Sequence, residues 1–228
     1  MFQAFLDESG THPETPVLSV GGFYGGPEQW QTFRDLWKPT SQGFHAKDST
    51  RLFPDLCSAI EKSNVNGVLL TIGKRVYKAY ATDHLKTALG NPYSICAFLC
   101  AITICKRLNS QPVSIVLEEG QPNLSFVTAI LEGMMAHEKE WSIAAVEIAK
   151  KSDFIELHTA DFLSHIASSH DLGWMQRLFE ADRLEHGHVT EKMLQGASPQ
   201  VTALFSRARA ARKEAKKLKM TDSDLLPK

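Results

Sequence analysis

Two acid pairs stand out by where they fall. The chain opens on an apolar run, Phe2 to Leu6, that drops straight into Asp7-Glu8-Ser9-Gly10. A second apolar run, PVSIVL, drops into Glu118-Glu119-Gly120. Carboxylates crowded at one place repel each other, so one must keep its proton or a cation must join them. A hard divalent ion, Mg2+ or Mn2+, takes oxygen ligands of this kind together with water and phosphate oxygens. A third acid, Asp161, lies among the apolar residues Ala160, Phe162 and Leu163, and His158, Asp161 and His165 follow the i, i+3, i+7 spacing of one helix face. The string FHAKD adds His45, Lys47 and Asp48. The chemistry open to this set is metal-assisted hydrolysis of a phosphodiester. One ion activates water and a second, about 4 Å away, stabilises the leaving oxygen. Lys47 is of the type that steadies phosphate oxygens as a point charge, and His45 and His165 are of the type that relays protons.

The acids need a scaffold that gathers them. Residues 2–7 read as a strand apolar on both faces, hence central in a sheet. THPETP turns the chain into a second strand, 17–24, whose Gly21-Gly22 predicts a bulge or a close backbone approach. Pro27 opens a helix with Trp30, Phe33 and Trp37 on one face, and Pro39 ends it. Asp48 or Ser49 is placed to cap a helix over 50–62. A strand over 65–73, a helix within 75–90, a long buried helix over 92–108, a strand over 112–120, a helix over 122–137, the strand WSIAAVEIA and a helix over 159–170 follow. LEHGHVT reads as an exposed turn, and the chain from 174 on reads as helical. Strands alternating with helices after a hairpin predict a mixed α/β sheet with helices on its faces. In such sheets ligands collect beyond the carboxyl ends of the strands. If the two acid-terminated strands are parallel neighbours, Asp7 meets Glu118 or Glu119 there.

Bulk properties narrow the classes. The chain has 228 residues, 43% hydrophobic and 22% charged, with a formal net charge of -1. That suits a globular protein with its own core and offers no global field for an anionic partner. No apolar run reaches the ~18 residues of a membrane span, so no membrane association is expected. No secretory leader is read at the N-terminus, and the expected location is cytoplasmic. Cys57, Cys96, Cys100 and Cys105 form no CxxC pair, which points to buried free thiols rather than a zinc cage. Ser9 has no activating base and no GxSxG elbow, so a serine nucleophile is a poor reading.

The ordered pieces carry a resemblance. A first strand ending in DESG, a GGF second strand, a loop FHAKD, an acid-terminated strand and an Ala160-Asp161 pair at the start of a helix resemble the domain-of-unknown-function 3800 family, over roughly residues 3–170. The resemblance implies an RNase H-like fold and metal-dependent nuclease activity. It assigns the first-strand acids to Asp7 and Glu8, the loop residues to His45, Lys47 and Asp48, the middle-strand acid to Glu118 or Glu119, and the final helix acid to Asp161. The chain departs from the family pattern at His158, where Gln is usual, and lacks a helix-borne Glu as a further acid; His45 or Asp48 could supply that ligand. The expected organisation is an RNase H-like catalytic domain over 1–172 and a helical C-terminal extension over 173–228.

A rival from another class is a catalytically silent module that binds nucleic acid or protein through the basic segment Arg207 to Lys219, with the acids structural. Hydrolysis of a small phosphate ester at the same acids is a third reading. Scattering of the acids over separate faces, or their pairing with arginine and lysine, is the outcome that would count against hydrolysis.

Overall fold

The computed structural model describes residues 1–38, 44–83, 85–86, 91–109, 111–120, 124–137, 141–169 and 171–196. The basic segment 207–219 and Pro39 lie outside the described residues. Six strands form one mixed sheet in the order β5-β4-β1-β2-β3-β6. They are β1 (Phe2–Ser9), β2 (Val17–Gly25), β3 (Asn66–Gly73), β4 (Val113–Glu118), β5 (Ile143–Ala149) and β6 (Leu184–His188). β1 pairs antiparallel with β2, and β2 with β3. β1 with β4, β4 with β5 and β3 with β6 are parallel. Only β2 runs against the rest, so five strands present their carboxyl ends at one edge. The α/β class read from the sequence holds, as does the central place of β1.

Strand pleating splits the core in two. Ala4, Leu6, Val20, Leu70, Ile115 and their neighbours face a helix α4 (Pro92–Arg107), beside α3 (Lys74–Tyr80) and α5 (Leu124–His137). Phe5, Phe23, Leu69 and Val116 face the other layer. That layer holds α1 (Pro27–Leu36), α2 (Phe53–Ser63), α6 (Leu157–Ser168) and α7 (Leu172–Glu180). Each fully buried Leu, Ile or Phe contributes about 1.5–3 kcal/mol, and both faces are lined with them.

The hairpin is fitted to its helix. Gly21 sits opposite Asp7 in the β1–β2 ladder. A Cβ there would lie 2.9 Å from Leu163 Cγ and 3.2 Å from the Ser164 amide nitrogen, so the missing side chain lets α6 lie directly on β2. The β1–β2 register is unbroken, so the glycine pair marks close approach and not a bulge. Ser19 Oγ donates to the Ser164 carbonyl at 3.0 Å, fixing the same crossing. Gly10, which closes DESG, has φ +79, and a Cβ there would fall 2.2 Å from the Val17 carbonyl oxygen. The turn requires glycine for backbone reasons alone.

Three expectations change. Neither Asp48 nor Ser49 caps α2; two 3-10 turns, Ala46–Asp48 and Thr50–Leu52, lead into it, and its N-cap is Leu52 without a side-chain cap bond. The helix carrying Asp161 begins at Leu157, so the acid lies one turn inside and not at the dipole-bearing end. LEHGH is not a turn but the edge strand β6, between α7 and α8 (Glu191–Gly196) in the segment read as helical. Thr71 Oγ1 bonds His188 Nδ1 at 2.8 Å across that edge. The four cysteines are buried free thiols as expected, and burial pushes the Cys57 thiol up to about 12.

Candidate metal centre

The parallel pairing of β1 and β4 places Glu118 and Glu119 differently. Leu6 stands beside Leu117, so the next residues, Asp7 and Glu118, leave the sheet as neighbours. A hydrogen bond joins their carboxyl groups. Glu119 lies one residue past the strand. Its amide bonds the Ala149 carbonyl at 2.8 Å, its side chain is 53% exposed, and its partner is Lys150 at 3.7 Å. Asp161 arrives from the other layer, carried onto β1 and β2 by α6, and is 6% exposed.

These three acids converge on one atom. Lys151 Nζ lies 3.4 Å from Asp7 Oδ2, 3.0 Å from Glu118 Oε2 and 3.0 Å from Asp161 Oδ2. The lysine comes from the turn after β5, whose carboxyl end shares the edge with β1 and β4. The sequence reading missed it. The signal was a third strand, WSIAAVEIA, running into Lys150-Lys151 at the same edge. One of the two adverse outcomes is therefore present in part: the acids are gathered, and a lysine is among them.

One ammonium does not satisfy this much negative charge. Burial, then the hydrogen bond and charge of Glu118, hold the Asp7 pKa well above the ordinary aspartate value despite the nearby lysine. Burial, then the charge of Glu118, pushes Glu8 up to about 8. For Lys151, burial works against the ammonium, but the charges of Asp7, Asp161 and Glu118 outweigh it and raise its pKa. Glu8 is 8% exposed, and the pleat turns it toward the α4 layer, where its charge acts on Tyr93. Its Oε2 is buried with no hydrogen-bond partner among the described residues. Glu118 Oε2 also lacks a well-directed hydrogen bond, although it lies 3.0 Å from Lys151 Nζ. The distance shows an ionic contact without good hydrogen-bond direction.

The FHAKD loop is bound to α6 at two points. The Ala46 amide donates to Asp161 Oδ2 at 2.9 Å. Phe44 stacks on His158, with ring centroids 4.9 Å apart. His45, Lys47 and Asp48 are exposed. The charges of His45 and Lys47 reach half-buried His165, whose pKa is lowered first by burial. His158 is a core residue. It is 5% exposed, its Nδ1 accepts from Trp37 Nε1 at 3.1 Å, and burial lowers its pKa to about 4. His158 and Asp161 share the helix face but not a role: the histidine supports the loop and the acid faces the cluster.

The donor set suits a hard divalent cation: three carboxylate oxygens around one point, and an orphaned fourth carboxyl close enough to feel their charges. Among the described residues no three His, Cys, Asp or Glu side chains are drawn closely enough together to hold an ion as they stand. The oxygens are spaced for an ammonium.

The molecule thus belongs to the mixed α/β class, with an acidic centre at the carboxyl edge of its sheet. Solved structures similar to it include RNase HII from Archaeoglobus fulgidus, in a complex with PCNA (13% identity, 78% of this chain and 76% of that one, TM-score 0.47). Ribonuclease H2 from Pyrococcus horikoshii OT3 is also similar (14%, 78% and 77%, TM-score 0.44). So is Bst-RNase HIII in complex with Mn2+ (16%, 94% and 71%, TM-score 0.47). No family model matches the chain. No curated protein matches it either. Among the described residues no helix is long and apolar enough to cross a membrane.

Proposed function

We propose that this chain is a divalent-metal-dependent phosphodiester hydrolase, a nuclease of RNase H-like fold acting on DNA or RNA, as its resemblance to the domain-of-unknown-function 3800 family implies. The observation that carries the reading is the convergence of Asp7, Glu118 and Asp161, from two strands and a helix, on one point that a single positive charge leaves short of balance. Asp7, Glu118 and Asp161 would hold Mg2+ or Mn2+, and Glu8, on the other face of β1, would add negative charge nearby. Glu119 is outside this set by its exposure and its own partner. When bound, the metal supplies Lewis-acid stabilisation of phosphoryl charge and a more acidic water. The chain's own residues do the rest. The Ala46 amide fixes Asp161 Oδ2 in place. His45 and Lys47, exposed on either side of Ala46, meet the phosphate: Lys47 steadies its oxygens and His45 or His165 carries a proton.

The test is cleavage of single- and double-stranded DNA, RNA and their hybrid with Mg2+ or Mn2+, beside calorimetry of Mn2+ binding. Cleavage that needs the metal and disappears in Asp7→Asn is the expected result. Cleavage retained in purified Asp7→Asn refutes the reading.

Lys151 favours one second reading. If its ammonium is the permanent counter-ion, the centre is a structural ion cluster and the chain a silent binding module. Absence of Mn2+ heat beside salt-sensitive nucleic-acid binding is the outcome that selects it.

A further inference from the structure

Lys151 fills the one point on which the acids converge. Its side chain is only 16% exposed, and its three ionic contacts are all with acids of the proposed metal set. The turn that carries it is held in place. The Asp153 and Phe154 amides bond the Lys150 carbonyl at 3.0 and 3.3 Å, and Phe154 packs against Phe5 with ring centroids 5.7 Å apart. The backbone at 151 is thus fixed, while the side chain beyond it has four rotatable bonds and a partly open path to water.

Two cations cannot share this point. An ammonium contacts oxygens at the 3.0–3.4 Å seen here. Mg2+ takes oxygens at about 2.0–2.1 Å. The oxygens must draw inward by about 1 Å to ligate an ion, and the space they close is the space Nζ occupies. Losing the ammonium without replacement would leave the buried acids short of counter-charge, which is strongly unfavourable.

Resting on the metal reading above, we propose that Lys151 is a built-in placeholder. Its ammonium holds Asp7, Glu118 and Asp161 together in the metal-free protein and is expelled when a divalent cation binds. The lysine acts through the acids; it is a positioning residue. It pre-assembles the centre and sets its affinity, because the ion must compete with a tethered charge already in place. Lys150, adjacent in sequence but 66% exposed and paired with Glu119, has no such role.

The two lysines provide an internal control in the unmodified protein. Lysine acylation read by mass spectrometry, with and without Mn2+, gives Lys151 as protected in the metal-free protein and severalfold more reactive with metal, while Lys150 stays constant. In parallel, calorimetry on Lys151→Gln gives Mn2+ binding about tenfold tighter than wild type, equivalent to about 1.4 kcal/mol. Mn2+ heat in wild type with unchanged Lys151 reactivity overturns the placeholder and leaves the metal reading standing. Absence of heat in both proteins overturns both. If Lys151→Gln fails to fold, the acylation result decides.

Discussion

The acid pairs that end β1 and β4 look alike in the sequence and have different fates in the fold. Asp7 and Glu8 are both enclosed, at 2% and 8% exposure. Both faces of β1 are covered by helices, α6 on the side of Asp7 and α4 on the side of Glu8. Of the second pair only Glu118 turns inward. Glu119 follows the end of β4 into a turn and reaches solvent, where Lys150 meets it. Acids adjacent in sequence are thus sorted by how far the strand runs past them: β1 continues to Ser9, whereas β4 ends at Glu118. Burial turns a carboxylate into a chemical resource, because there the shortage of counter-charge is felt; in water it is screened.

The sharpest way to break this contrast is to neutralise one acid of the second pair at a time. Under the proposed nuclease reading, Glu118→Gln lowers metal-dependent cleavage by on the order of 10³-fold, since several kcal/mol of transition-state stabilisation depends on the held cation. Glu119→Gln leaves the rate within about twofold, because an exposed pair at 3.7 Å contributes little. Initial rates under saturating Mn2+ measure both. Equal losses in the two variants would show that exposure does not separate their roles.

The enclosure of Asp7 depends on α6, and one end of α6 responds to acid. His158 is buried neutral, with Nδ1 accepting from Trp37 and its ring stacked on Phe44. Its pKa falls from 6.5 to about 4 on folding. A depressed pKa gives stability that is present in full above the unfolded value and lost as pH falls through the folded one. Between pH 6.5 and about 4 the unfolded chain binds the extra proton, so stability falls on acidification there and this contribution is gone below. The loss is about 3 kcal/mol across that window. His158→Gln keeps an acceptor for the Trp37 N–H and cannot titrate. Urea unfolding at a series of pH values gives a shallower acid limb for the variant over pH 6.5 to 4 and parallel curves above pH 7. Identical acid limbs would show that His158 is not the group responsible.

Much of the scaffold was legible in the sequence. β1 to β5 announce themselves by continuous apolar runs bounded by glycine, proline or acids, and the helices by the spacing of residues such as Trp30 and Phe33. β6 was not legible. LEHGH has neither alternation nor an apolar run, and it becomes a strand only because β3 offers a free edge more than a hundred residues earlier in the chain. For the centre, strand endings were enough to raise Asp7 and the pair Glu118-Glu119, but telling the members of that pair apart needed the register and their burial. Lys151 was invisible for a different reason. Nothing in Lys150-Lys151 says which lysine points inward; the turn over 150–153, held by Phe154 beneath Phe5, decides it.

The smallest expected effect tests the first pair against the second on stability instead of rate. Glu8 Oε2 is buried without a hydrogen-bond partner among the described residues, and an unsatisfied buried polar group costs about 1–3 kcal/mol. Glu8→Met removes the polar atoms while keeping the volume, so the metal-free protein gains about 1 kcal/mol, or roughly 2–4 °C in Tm. Glu119→Gln, at the surface, stays within about 0.5 kcal/mol. Calorimetry with Mn2+ reads the opposite sign for Glu8→Met: binding weakens about tenfold, as expected for loss of a nearby buried negative charge. A fold that improves while its ion binding declines marks an acid retained against the interest of stability. A Glu8→Met protein no more stable than wild type would mean that Glu8 is satisfied where it lies, and that the two acid pairs differ less than their burial suggests.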